Sequence, residues 1–140
     1  DVNSVKAHEL MQSQGYKYID VRSEPEFLNG HPEGALNIPI LHREEFGMVP
    51  NTDFLVVMET NFDHGDKLLL GCQSGGRSGH AAEALIAAGF TDVANVQGGY
   101  GGARTENGEL TEKGWLEHGL PVTYGEQEGR NYSDLGSRRQ

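Results

Sequence analysis

Cys72 is the only cysteine in the 140-residue chain, and it stands in the run Gly71-Cys72-Gln73-Ser74-Gly75-Gly76-Arg77-Ser78. A thiol, two adjacent glycines and a guanidinium within six positions form a set that can do nucleophilic chemistry. The glycines let the loop curl so that its backbone N–H groups point at a common centre. Arg77 adds a full positive charge, and a helix starting there would add the partial charge of its N-terminus. That setting favours the thiolate, the nucleophilic form of cysteine, over an inert buried thiol.

The flanking residues supply the elements such a loop needs. Lys67 to Gly71 contains the short apolar run Leu68-Leu69-Leu70, the pattern of a parallel strand covered on both faces. After Arg77, apolar residues at 81, 82, 85 and 86 share a helical face, and Gly89 is a natural stop. Cys72 is therefore expected at the carboxyl tip of a strand, facing a helix N-terminus. That is where open α/β sheets collect ligands.

Four residues separate Cys72 from Arg77. Phosphatases with a cysteine nucleophile have a similar cradle with five residues in between, wide enough to wrap a tetrahedral phosphate. The shorter loop here suits one extra sulfur atom on Cys72. Cys72-Gln73-Ser74-Gly75-Gly76-Arg77-Ser78 resembles the active-site loop of the rhodanese-like sulfurtransferases, in particular the plant-type single-domain thiosulfate sulfurtransferases. The resemblance implies a catalytic Cys72 that carries a persulfide, with Gln73, Ser74, Gly75, Gly76 and Arg77 binding the substrate.

A second stretch carries the same resemblance. Tyr18-Ile19-Asp20-Val21-Arg22, Glu26-Phe27, Gly30-His31, Gly34-Ala35 and Asn37-Ile38-Pro39 are similar to the family's upstream motif, and they end well before the loop begins. Gly98-Gly99 matches a glycine pair that follows the family's last strand. A departure comes next: a polar segment from Ala103 to Glu112 precedes Trp115 and Gly119-Leu120-Pro121. It is expected near the pocket mouth, where it would bear on acceptor recognition, and it leaves two placements open for Trp115.

Along the rest of the chain, Val2 marks a possible short strand, and Ser4 is a candidate cap for a helix through Met11. Lys17 to Val21 reads as an interior strand, and Ser23 with Pro25 as the start of a short helix. Residues 30–35 read as a turn, Leu36 to Pro39 as a short strand and 41–50 as an irregular connection. Asn51 or Thr52 can cap a helix to about Asn61, with Phe54, Val57, Met58 and Phe62 along one stripe. Val93 to Val96 is a further strand. The glycine-rich stretch after it lacks the Gly-Lys-Ser/Thr ending of a P-loop and is expected to lie against the Cys72 loop. The polar stretch 125–140 is expected to be a flexible tail.

Alternating strands and helices predict an α/β fold of three layers: a mostly parallel sheet of about five strands with helices on both faces. The rhodanese-like domain is expected to span residues 1–124. Asp20 and Arg22 read as an ion pair tying a strand end to a neighbouring loop. His31 reads as a turn or hydrogen-bonding residue, and His8, His42, His64, His80 and His118 show no spacing for a metal site.

Eleven basic residues against 21 acidic ones give a net charge of −10. That balance disfavours nucleic acid and anionic membrane as partners. A single cysteine excludes an internal disulfide and fits a reducing compartment. No apolar run is long enough for a membrane span. The chain opens at Asp1 without a Met, consistent with removal of an upstream segment such as a transit peptide.

No cofactor is expected. The expected partners are a small anionic sulfur donor and a thiol acceptor, either a small molecule or a thioredoxin-like protein. The resemblance points to a plastid or cytoplasmic location. Two other readings stand beside sulfur transfer: a Cys-dependent phosphatase or arsenate reductase of the same fold, and a non-catalytic binding or sulfur-carrier module.

Overall fold

The computed structural model of the chain describes residues 1–137. A two-residue strand β1 (Val2–Asn3) leads into helix α1 (Ser4–Ser13). The cap of α1 is Asn3, whose side-chain oxygen accepts the Lys6 N–H at 2.8 Å. Ser4, the expected cap, is instead buried one position inside the helix, and its hydroxyl donates to the Gly99 carbonyl at 3.4 Å. Strand β2 (Lys17–Asp20) follows, then helix α2 (Glu24–Leu28), which opens on a capping box between Ser23 and Glu26.

Residues 30–35, expected as a turn, contain a short strand β3 (His31–Pro32). It is followed by β4 (Leu36–Asn37), and then by β5 (Leu41–Glu44) and β6 (Gly47–Pro50). The last two form an antiparallel hairpin where an irregular connection was expected. Every residue of β6 is exposed, so no buried face imprints an alternating pattern on the sequence. Helix α3 (Phe54–Asn61) buries the expected stripe of Phe54, Val57 and Met58, with Phe62 just past its end. Then come β7 (Leu68–Gly71), α4 (Gly76–Ala87) and β8 (Val93–Gln97).

The segment 103–112 is itself a small antiparallel ribbon of β9 (Ala103–Arg104) and β10 (Leu110–Glu112). Strand β11 (Val122–Thr123) pairs with β3, and helix α5 (Tyr132–Gly136) comes last. That helix departs from the expected flexible tail. Leu135 is buried in the main apolar cluster with Tyr132 packed against it, and two apolar residues in a polar stretch were too weak a pattern to signal a helix. The tail's final residues, 138–140, lie outside the described residues.

Five strands form one parallel sheet in the order β1-β8-β7-β2-β4, with β7 at its centre. Side chains of a strand alternate between faces, and Leu68-Leu69-Leu70 shows it: Leu68 and Leu70 enter one apolar cluster and Leu69 the other. The first cluster is completed by α3, α4 and α5 through Met58, Leu85 and Leu135. The second contains Ala7 of α1, Phe27 of α2 and the fully buried Trp115. Both faces of β7 are thus covered, which fixes its carboxyl end rigidly at the top of the sheet. Trp115 stands edge-on to the Tyr18 and His8 rings, and its indole N–H donates to the Pro121 carbonyl at 2.7 Å.

Candidate active site

Cys72 is the first residue beyond β7 and is 1% exposed. Gly75, the N-cap of α4, adopts φ 113°, a left-handed conformation open to glycine and costly for other residues. That turn swings its N–H back to the sulfur, to which it donates at 3.0 Å. Ser78, one turn into α4 and fully buried, holds its hydroxyl 3.4 Å from the same sulfur. The sulfur therefore sits between a backbone donor and a hydroxyl at a helix N-terminus.

The second glycine-rich stretch seals the loop from behind. Tyr100 N–H donates to the Cys72 carbonyl at 2.8 Å and Gly101 N–H to the Gln73 carbonyl at 2.9 Å. A Cβ placed on Gly99 (φ 53°) would collide with the Cys72 carbonyl oxygen, so this backbone approach requires glycine. The expected contact between the two glycine-rich loops is present.

The other expected site residues divide by where their side chains go. The Gln73 side-chain oxygen accepts from Arg22 at 3.3 Å. Ser74 is exposed and, with Gly75, lines a shallow recess bounded by Asn95, Gln97, Gly98, Ala103 and Glu112. The two ends of the 103–112 ribbon thus border the Cys72 loop. Gly76 begins α4. Arg77 does not stand free: its two terminal nitrogens donate to the two carboxylate oxygens of Glu26 at 2.8 and 3.0 Å.

In the sequence Glu26 stands out only as a position of the upstream motif. Burial alone would raise its pKa, but hydrogen bonds from Arg77 and Ser23 and the charge of Arg77 outweigh that. They hold it at about 2. Its Oε1 also accepts from the Ser23 N–H and hydroxyl, so α2 and α4 are locked together beside the thiol.

Below the loop, Arg22 and Asp20 form the expected ion pair, 3% and 1% exposed, with a 2.8 Å contact. Arg22 also donates to the Gly30 carbonyl at 2.6 Å and lies 4.4 Å over the Tyr100 ring. One guanidinium thus joins the end of β2, the turn after α2 and the side chain of Gln73. His31 stacks on Phe27, holds the Phe27 carbonyl through Nδ1 at 2.7 Å and meets the Thr123 hydroxyl through Nε2 at 2.7 Å. It serves as a structural hydrogen-bonding residue. Among the described residues, His, Cys, Asp and Glu form no group of three able to hold a metal ion. No described helix is long and apolar enough to cross a membrane.

The family profile of the rhodanese-like domain matches residues 4–105. The chain belongs to the rhodanese-like domain family. It is 40% identical over 121 residues to thiosulfate sulfurtransferase 16, chloroplastic, of Arabidopsis thaliana, covering 86% of this chain and 90% of that protein. It is 41% identical over 116 residues to the senescence-associated protein DIN1 of Raphanus sativus, covering 83% of this chain but only 56% of that protein. Among solved structures, that of Rv0390 from M. tuberculosis superposes with a TM-score of 0.74 at 28% identity, covering 89% of this chain and 97% of that one. The match to the family agrees with the parallel α/β sheet. Ser78, Asn95 and Glu26 are site neighbours that the sequence reading gave no role. Ser78 and Glu26 stand in the loop and upstream motifs and could have been found there; Asn95 stands in neither.

Proposed function

We propose that this rhodanese-like domain moves a sulfane sulfur from an anionic donor such as thiosulfate to a thiol acceptor through a persulfide on Cys72. The observation that carries this is the Gly75 N–H aimed at the sulfur at 3.0 Å, in a loop with only four residues between Cys72 and Arg77. An amide donor at the sulfur itself stabilises negative charge there, in the attacking thiolate and in the persulfide.

In the first step the thiolate attacks the outer sulfur of thiosulfate. The bond to the sulfonate sulfur breaks, its electron pair leaves with sulfite, and Cys72 retains the outer sulfur as a persulfide anion. In the second step an acceptor thiolate, or cyanide in an assay, attacks that outer sulfur. A new persulfide or thiocyanate leaves, and the Cys72 thiolate returns. Gly75 and the neighbouring loop amides of residues 73–77 bind the transferred sulfur, and Arg77 offsets donor charge. Its pairing with Glu26 keeps that charge partly neutralised, which favours a small anion over a large polyanion. The acceptor approaches across the recess by Ser74 and Gly75, where the 103–112 ribbon supplies Ala103 and Glu112. The acidic surface and the lone thiol favour a small-molecule or thioredoxin-like acceptor. The chloroplastic relative makes the plastid the favoured location.

Intact mass after incubation with thiosulfate tests this directly. One added sulfur atom is expected on wild type, removable by cyanide, and none on Cys72→Ser. A folded Cys72→Ser protein that still converts thiosulfate and cyanide to thiocyanate would remove the mechanism.

A further inference from the structure

Asn95, on β8, meets no substrate in the reading above, yet it makes the shortest side-chain contact at the site. The Ser78 hydroxyl donates to Asn95 Oδ1 at 2.5 Å, against 3.3 Å to the Gly75 carbonyl and 3.4 Å to the Cys72 sulfur. A hydroxyl has one proton. Committed to Asn95, it leaves only lone pairs facing Cys72. Lone pairs suit a thiol, whose S–H can donate to them, and they repel a thiolate.

A carboxamide has a way out that no other side chain of this size shares. It presents an acceptor oxygen and a donor NH2 at nearly equivalent positions, and rotation by half a turn exchanges them. With oxygen toward Ser78, the chain of donors runs from the Cys72 S–H to the Ser78 oxygen and from the Ser78 O–H to Asn95 Oδ1. With nitrogen toward Ser78, Asn95 donates to the Ser78 oxygen, and the Ser78 proton turns onto the sulfur. We infer that Asn95 is a positioning residue that lets the Ser78 hydroxyl follow the charge on Cys72, accepting from the thiol and donating to the thiolate. No covalent bond changes in this exchange apart from loss of the thiol proton to water. The inference rests on Cys72 as the reacting sulfur, and it deepens the sulfur-transfer reading by giving Ser78 a direction for each charge state.

Of the other charged and titratable groups of the site, Arg77 of α4 and Tyr18 of β2 interact electrostatically with Cys72, and behind them stand Glu26, paired with Arg77, and the Asp20–Arg22 pair at the end of β2. None of them reaches the Ser78 hydroxyl among the hydrogen bonds of the described residues; besides the sulfur it meets the Gly75 carbonyl at 3.3 Å and Asn95, and Asn95 is the side chain that sets its direction.

The test is the pH profile of Cys72 alkylation by iodoacetamide, which needs no sulfur donor. Asn95→Asp supplies only acceptors, pins the Ser78 proton away from the sulfur and should move the profile up by about one pH unit, a roughly tenfold slower reaction near neutral pH. Asn95→Leu releases the Ser78 proton and should move it much less. A new carboxylate also acts through space, so the same substitution is made in a Ser78→Ala background, where most of the shift should vanish. An equal shift with and without the Ser78 hydroxyl would overturn the inference, as would equal profiles for Asn95→Asp and Asn95→Leu. If Asn95→Leu fails to fold, Asn95→Ala takes its place with the same expectation. If Asn95→Asp fails to fold, Ser78→Ala alone carries the test: loss of the hydroxyl that donates to the thiolate should move the profile up, and an unchanged profile would overturn the inference. Failure of the persulfide assay alongside a Ser78-dependent alkylation shift would count against sulfur transfer and leave this inference standing.

Discussion

Glu26 and Arg77 face each other across the gap between α2 and α4 as a two-toothed ion pair, with contacts of 2.8 and 3.0 Å. In the proposed reaction the carboxylate would compete with an anionic donor for the Arg77 fork. Glu26→Gln keeps an acceptor for the Ser23 cap and removes the charge. The KM for thiosulfate should fall about fivefold at low salt, an effect on the order of 1 kcal/mol for a partly exposed charge, and less at high salt. Steady-state kinetics at two ionic strengths decide it. An unchanged KM at low salt would mean that Arg77 does not contact the donor.

The same pair makes the fold acid-sensitive. The Glu26 pKa lies at about 2 in the folded chain against an ordinary 4.5, so the folded state prefers the ionised form. Its stabilisation is complete above the ordinary value and is lost as pH falls toward the folded one. The shift corresponds to at most on the order of 3 kcal/mol, reduced by solvent screening of a side chain about one-quarter exposed. Burial lowers the His31 pKa despite its bond to the Phe27 carbonyl, so His31 also favours the fold when neutral and costs stability as acid protonates it. Urea unfolding from about pH 6 down to about pH 3 should show a loss of stability in wild type that is clearly shallower in Glu26→Gln. Parallel curves would rule out the ion pair as the source.

The central strand and the Cys72 loop were legible because each is written locally. Leu68-Leu69-Leu70 is buried on both faces, and Gly75-Gly76 follows directly after Cys72-Gln73-Ser74. The β5–β6 hairpin was not legible, since β6 is exposed throughout and β5 in its second half, which leaves no hydrophobic period, and the two-residue strands β3 and β11 exist only as each other's partners. The Arg77–Glu26 and Ser78–Asn95 contacts join residues 51 and 17 positions apart. A pairing of that kind leaves no mark on spacing, because the fold alone decides which neighbour the guanidinium or hydroxyl meets.

Tyr18 presents the opposite case, a polar group with nothing to hold. Its hydroxyl is buried and has no hydrogen-bond partner among the described residues, and burial drives its pKa well above the ordinary tyrosine value. Tyr18→Phe keeps the edge-on contact with Trp115 and removes an unsatisfied donor. Stability should rise by up to about 1 kcal/mol, with sulfur transfer retained. A loss of stability of similar size in urea unfolding would show that the hydroxyl is satisfied in solution.

Gly99 tests how far the loop depends on its backing. Gly99→Ala drives a methyl group into the Cys72 carbonyl oxygen from a left-handed backbone conformation. The cost should be at least about 2 kcal/mol, because neither the strand end nor the second glycine-rich turn can retreat without losing the Tyr100 N–H bond to the same carbonyl. Sulfur transfer should fall with it even at temperatures where the variant is folded. Wild-type activity in a destabilised Gly99→Ala protein would separate the backing from the chemistry.

The number of residues between Cys72 and Arg77 is the feature that sets sulfur transfer apart from phosphate chemistry in this reading. One glycine inserted between Gly75 and Gly76 changes the spacing from four residues to five. Gly75 holds the sulfur through an N–H aimed by its own left-handed turn, and the insertion pushes that turn away from the start of α4. Ser78 stays on the helix, still anchored to Asn95, and Arg77 stays paired with Glu26. The thiolate should therefore remain open to alkylation, while the transferred sulfur loses its amide contact and the rate of thiocyanate formation drops at least about tenfold. Gain of activity on an aryl phosphate is not required, since a phosphatase also needs a proton donor for its leaving group. The decisive comparison is the transfer rate of the folded insertion variant beside wild type. Equal rates would mean that loop length does not select the anion here, and the phosphatase or arsenate-reductase reading would then stand level with sulfur transfer.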